Sequence, residues 1–412
     1  MKTMNTVRFD AFPLSRARRV PAALLALCCA AGFLLPVPPA RAGGRLDAAA
    51  MLDGPSPYPG YFLAKSVPIF HDVRCIPAPY FLNATRDPLP NPLGPPVVSL
   101  ADAARAIQAS LDAWNDIPTS FIDMRLVGTT ETVGFFQIFD TVNELRFNSP
   151  PGLRGAIASS PTVTLAADMT LEDGTDLDGD GDSDVAAGIA TCTDVDGDGD
   201  WEWPAGFYKA GTIIDNDIWF NTSGARFTVD PADADTNTSS IDLQAVATHE
   251  LGHSVGLAHS EINVIGPHDG TAVTMYPFAD TGDPVAELSM RTLEEDDVAY
   301  ASLIYPEGTA ASGPAALGPG DVAFDAVYGV ISGEVRHGVL HRAVPGASVS
   351  AVDRRTGDTV AATYSGSSSR FYNDPVTFNI ILLPGFDSVT DGRYELPVRA
   401  GLYDVRIEPM DD

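Results

Sequence analysis

Apolar positions recur along this chain with two distinct periods. Ala104, Ile107, Leu111 and Trp114 fall on one face of a 3.6-residue turn, with Ser99 where an N-cap belongs and Asp102 in the first turn, so a helix is predicted there. Short runs rich in β-branched and aromatic residues surround it. Pro77–Leu82, Phe121–Leu126, Val133–Phe139, Asn143–Phe147 and Thr212–Phe220 read as strands, and Ala156–Leu165, rich in Ser and Thr, reads as a candidate edge strand. Ser240 is placed to cap a helix from Ile241 to about Gly256. Thr292 with Glu295 has the spacing of a capping box for a third helix, to about Ile304. Strands mixed with about three helices predict an α+β unit over residues 71–306.

The pattern changes after that. Residues 307–320, EGTAASGPAALGPG, are small and almost uncharged and read as a linker. From Asp321 the runs Gly329–Val335, Ala347–Val352, Val376–Leu382, Arg393–Val398 and Leu402–Ile407 are short and bounded by turns. They predict an all-β sandwich over 321–412 that folds separately and does no chemistry. Two or three domains are what roughly 150 residues per domain predicts for 412 residues.

At the other end, Lys2, Arg8, Arg16, Arg18 and Arg19 precede an apolar run from Val20 to Leu35, and Ala40-Arg41-Ala42 follows. Basic region, short apolar core and small-residue cleavage site predict a secretory signal peptide over 1–42 and an extracellular protein. Pro36, Pro38 and Pro39 cut the run short of a membrane span, and no later segment is long and apolar enough for one. Residues 43–70, rich in Ala, Pro and Gly, read as a leader to the first domain.

The formal net charge of −30 argues against nucleic acid and anionic membrane as partners. It suits a protein that gathers cations. Without residues 1–42 the balance is 19 basic to 54 acidic residues, and two of the four cysteines remain, Cys75 and Cys192. Two thiols in an oxidising compartment predict one disulfide closing a long loop.

Candidate chemistry concentrates in His249-Glu250-Leu-Gly-His253-Ser-Val-Gly256-Leu-Ala-His259-Ser260. On a helix, His249 and His253 leave the same face one turn apart, as two nitrogen ligands of one Zn2+ require. Gly256 permits the backbone turn that ends the helix and brings His259 back as a third ligand. Three protein ligands leave a position open for water, the mark of a catalytic site. Glu250 is placed as general base rather than ligand.

This run resembles the zinc signature of the metzincins, and Ser260 after the third histidine resembles the matrixin branch. Thr274-Met275-Tyr276-Pro277 looks like the family's Met-turn, with Met275 as an apolar floor under the metal, and Asp217-Ile-Trp-Phe-Asn221 resembles the matrixin strand before the active-site helix. The resemblance implies a twisted mixed sheet above the zinc helix, a peptidase acting on proteins or peptides, and substrate bound antiparallel to an edge strand, for which Ala156–Leu165 is the candidate. Cys75, in Val73-Arg-Cys-Ile-Pro77, faintly resembles a cysteine-switch segment, the alternative to its disulfide. In the C-terminal stretch, Gly329–Val335, Val344–Val349, Asp391–Leu396 and Ala400–Val405 resemble a carboxypeptidase-regulatory-like sandwich.

An insertion at about 170–205 differs in kind. Its segment 172–202 holds twelve acidic residues and neither Lys nor Arg. Asp176, Asp178, Asp180, Asp182 and Asp184 recur eighteen residues later as Asp194, Asp196, Asp198, Asp200 and Glu202. Alternating carboxylates with glycines between them suit Ca2+, which takes 6–8 oxygens, and resemble the first half of an EF-hand loop. Ala187 and Ala205 stand where its last glutamate would be, so the remaining ligands must come from elsewhere. The rival to a secreted zinc endopeptidase is a calcium-dependent adhesion or binding protein with a degenerate peptidase domain, for which an intact Glu250 has no use. Neither oligomeric state nor substrate preference follows from the sequence.

Overall fold

The computed structural model describes most of the chain from Ala64 to Glu408, apart from 87–97, 133–139, 148–155, 166, 198–199, 233–239, 261, 263–272, 277–287, 310–316, 345, 367–370, 374–379 and 383–391; before Ala64 it describes only Leu25–Ala30, Gly44–Arg45 and Asp47–Met51. The expected strand at Val133–Phe139 lies outside the described residues, as does most of Val376–Leu382.

The first unit is a mixed α/β structure. Strands β1 (Ala78–Asn83), β2 (Met124–Thr130), β3 (Glu144–Arg146), β4 (Ala158–Leu165), β5 (Ile213–Asn216) and β6 (Ile218–Phe220) form one sheet in the order β4-β6-β3-β1-β2, with β5 continuing along β4. The β6–β3, β3–β1 and β1–β2 pairs are parallel, whereas β4 runs antiparallel to β6. The outer edge of β4 carries a further antiparallel strand, Leu25–Ala30, in register from Leu25 opposite Leu165 to Ala30 opposite Ser160. Part of the segment read as a signal peptide therefore sits on the candidate edge strand. An open edge offers unpaired N–H and C=O groups to any extended segment, which accounts for the pairing.

Helices α1 (Leu100–Asn115) and α2 (Leu243–Val255) pack on one another and on the sheet. Ile107, Leu111 and Trp114 of α1 and Leu251 and Val255 of α2 are buried in a common core with Tyr80, Leu82, Met124, Leu145, Ile218 and Phe220 of the sheet. Ser99 caps α1 in a capping box with Asp102. The cap of α2 is Asp242, not Ser240, because Ser240–Asp242 pairs as a short parallel strand with Arg226–Thr228 and is extended. The third helix, α3 (Glu295–Ile304), begins with a capping box of Glu294 and Asp297 rather than Thr292 and Glu295. No helix among the described residues is long and apolar enough to cross a membrane.

Strands β7 (Tyr328–Glu334), β8 (Ser348–Asp353), β9 (Thr359–Tyr364), β10 (Arg393–Arg399) and β11 (Tyr403–Glu408) follow. β7 pairs with β10, and β9-β8-β11 form a three-stranded antiparallel sheet. The sequence pattern did not single out β9. Val335, Ala347, Val349, Ala351, Ala361, Leu396 and Val398 belong to the same apolar cluster as Tyr300, Ala301 and Tyr305, so buried contacts continue across the 307–320 segment. The acidic insertion is tied to the start of β1 by a Cys75–Cys192 disulfide, 117 residues apart in sequence.

Candidate active site

The sequence of α2 puts its chemistry on one face and its packing on the other. His249 and His253 lie one turn apart, and the helix ends at Gly256, whose φ of 103° is in the left-handed region. A Cβ there would also come within 2.6 Å of the Ile69 carbonyl, so the turn needs glycine on both counts. The chain reverses and returns His259 to the other two, and one ring nitrogen from each of the three lies within 4.8 Å of the others.

Which nitrogens converge follows from the hydrogen bonds. His249 Nδ1 is 2.7 Å from the Thr274 carbonyl and His253 Nδ1 is 2.8 Å from that of Leu257. A carbonyl only accepts, so each Nδ1 carries the proton and each Nε2 turns a lone pair inward. The Nε2 atoms of His253 and His259 are 3.2 Å apart, close to the roughly 3.3 Å that two nitrogens of a tetrahedral zinc with ~2.0–2.1 Å bonds subtend. Burial holds His249 down to about 4 and His253 to about 3, and burial with the neighbouring imidazoles holds His259 well below its ordinary value. Neutral imidazoles are the metal-binding form.

Glu250, next to His249 on α2, is buried, and its Oε2 has no hydrogen-bond partner among the described residues. Burial alone pushes its carboxyl up to about 8. An orphaned carboxylate oxygen on the residue after His249, together with three converging ring nitrogens, fits a metal ion with a water between metal and acid. The donor set and the orphaned oxygen together fit zinc.

Met275, expected from the sequence as the floor of the site, is joined there by residues that the sequence did not single out. Met275 lies buried under α2, where a Cβ on Gly252 would sit 2.2 Å from its Sδ and 2.8 Å from Trp114. Asp297, also buried, accepts from the backbone N–H of Thr274 at 3.1 Å and of Met275 at 3.3 Å, and so fixes the loop whose Thr274 carbonyl orients His249. Trp114 Nε1 donates to the Thr248 carbonyl at 2.9 Å and ties α1 to α2. Gly252 had a sequence signal, since a glycine inside a helix costs about 1 kcal/mol. Asp297 had none for its part in the site, because the loop N–H groups it holds there lie more than twenty residues away.

The acidic insertion folds as two similar loops. In the first, Gly179 N–H donates to Asp176 and Leu177 N–H to Asp184; in the second, Gly197 N–H donates to Asp194 and Val195 N–H to Glu202. Val185–Ala186 pairs in parallel with Trp203–Pro204, so the repeats stack at their eighteen-residue offset. The structure brings Asp176, Asp178 and Asp184 to within 4.8 Å of one another. Asp180 and Asp182 stay outside that group, Asp194, Asp196, Asp200 and Glu202 form no such group among the described residues, and Asp198 lies outside them. Burial and then the neighbouring carboxylates raise Asp178 to about 6.

Two buried imidazoles and a buried acid on a helix packed against a mixed sheet, with a third, half-buried imidazole returned to them by the turn after the helix, define the site of a metal-dependent hydrolase. The sequence model of the matrixin family matches residues 95–305, about half of the chain, and the chain belongs to that family. It is therefore a metalloprotease by family, and the family implies zinc and protein substrates. Comparison with curated proteins and with solved structures finds no match.

Proposed function

We propose that this protein is a secreted zinc endopeptidase that hydrolyses peptide bonds in proteins, with His249, His253 and His259 as ligands and Glu250 as general base. The observation that carries this reading is the convergence of three imidazole nitrogens, together with a buried Glu250, next to His249 on the same helix, whose Oε2 has no hydrogen-bond partner among the described residues. Zn2+ held there would activate a water molecule and polarise the scissile carbonyl. Glu250 Oε2 takes the proton of the attacking water and passes it to the leaving amine. The positive charge of a bound dication would offset the burial that raises this carboxyl and would keep it ionised as a base. Gly252, which has no side chain, lets Met275 pack directly against the helix that carries His249 and His253. β4 supplies the substrate edge, and its antiparallel register with Leu25–Ala30 supports that role, since a peptide substrate added to that edge would make the same ladder.

Export rests on the basic, apolar and small-residue pattern of residues 1–42. Residues 172–202 are read as a calcium-binding insertion that stabilises the unit without joining the chemistry, supported by the convergence of Asp176, Asp178 and Asp184. Residues 321–412 are read as a carboxypeptidase-regulatory-like sandwich, supported by the two small sheets β7–β10 and β9-β8-β11. The test is incubation of the purified protein with a proteome-derived peptide library, followed by mass spectrometry with and without a zinc chelator. Cleavage abolished by chelator and restored by Zn2+ is expected; no new peptide ends under any condition would refute the reading.

A further inference from the structure

The segment holding the third histidine does not stand on the first unit alone. Ser260, immediately after His259, donates its hydroxyl to Asp296 Oδ2 at 2.8 Å, and its N–H donates to the Met275 carbonyl at 2.7 Å. Asp296 lies in the first turn of α3 and is 4% exposed. Its other oxygen, Oδ1, accepts the backbone N–H of Ala362 in β9, 3.3 Å away. β9 is an edge strand of its sheet, so its outward N–H groups need partners other than a neighbouring strand. Beside this bond, Ala362 is buried against Ile262 and Val273, with Tyr276 packed on them; Ile262 follows the ligand segment, Val273 precedes the Met-turn and Tyr276 belongs to it. Two further contacts fasten the same face. Tyr300 Oη donates to the Glu395 carbonyl at 3.1 Å, and the Arg399 guanidinium forks onto Glu295 at 2.6 and 2.9 Å.

We infer that the C-terminal β unit buttresses the metal centre, and that Asp296 is the positioning residue joining Ala362 of β9 to the Ser260 segment that follows His259. A carboxylate held from both sides cannot swing away from Ser260, and an apolar contact at Ile262 and Val273 keeps water from loosening the turn. This is the opposite of the separately folding appendage that the 307–320 composition suggests. The metal readout rests on the zinc reading above; the physical association of the two units does not.

The test uses the full chain with a site-specific protease sequence inserted between Ser312 and Gly313. After the folded protein is cut, the two pieces are expected to co-elute at the volume of the uncut chain. Separation of the pieces, with the N-terminal one holding zinc as firmly as the uncut chain, would overturn the inference. In the uncut chain, Asp296→Ala and Ala362→Pro, which removes the N–H donor and also fixes φ in β9, are expected to lose zinc to a chelator roughly 10–100-fold more readily, the usual cost of removing a group that orients a ligand. Asp296→Asn should recover most of that loss, because its amide oxygen can accept from Ala362 and its NH2 can bond Ser260. Wild-type zinc retention in both Asp296→Ala and Ala362→Pro would also overturn it. Should a variant fail to fold, the cut chain still decides; should the wild type bind no zinc, the zinc reading falls while co-elution still tests the buttress.

Discussion

Glycine 252 shows how one residue sets the floor of the site. It sits between the two helical histidines, and any side chain there would meet Met275 and Trp114 well inside van der Waals contact. Gly252→Ala should therefore destabilise the protein by about 1–3 kcal/mol despite alanine's better helix propensity, as overpacking of a dense core does. Chemical denaturation would show it, and a variant as stable as wild type would mean that Met275 yields freely. At this scale the convergence of the three histidines was legible, because helix periodicity alone brings His249 and His253 together and Gly256 marks the turn to His259. The residues that orient the ligands were not. The Leu257 carbonyl, the Thr274 carbonyl and Asp297 act through backbone groups, and backbone groups leave no trace in residue type.

Among the elements, the start of α2 illustrates competition between two local structures. Ser240 has the chemistry of a cap, yet pairing with Arg226–Thr228 keeps residues 240–242 extended, so the helix begins two residues later at Asp242. Asp242 then does double duty. Its Oδ1 accepts from the Ala245 N–H at 2.9 Å, and its carboxylate pairs with the Arg291 guanidinium just ahead of α3. Asp242→Ala should cost about 2 kcal/mol or more, the sum of a lost cap and a half-buried ion pair. A melting curve matching wild type would show that the strand, not the cap, fixes the helix start. Helix and strand identities were largely legible from periodicity: α1 with its Ser99 cap, β1, β3, β4 and the β5–β6 region all lie where the pattern put them. Cap positions and β9 were not, since the former depend on pairing across the sheet and the latter on burial against another unit.

For the whole molecule, charge is the open liability. The chain carries a formal −30, and twelve of its carboxylates lie within 172–202. Like charges this close repel unless a cation intervenes, and Asp178 already holds its proton more firmly than an isolated aspartate. Calcium at millimolar levels should raise the melting temperature of the chelator-stripped protein and slow proteolysis within the insertion. No heat of binding and no shift in melting temperature would leave 172–202 as a solvated acidic loop. The Cys75–Cys192 bond confines the insertion to the sheet, so ordering there stabilises the region that carries β1.

All of these features serve one claim, that Glu250 performs proton transfer at a zinc held by three histidines. The most direct test is Glu250→Ala, read for bound zinc and for peptide hydrolysis in the same preparation. The ligands remain in that variant, so about one zinc per chain should stay bound while turnover falls by on the order of 10²–10⁴, the usual worth of general acid–base catalysis. Near-wild-type turnover with zinc in place would contradict the account.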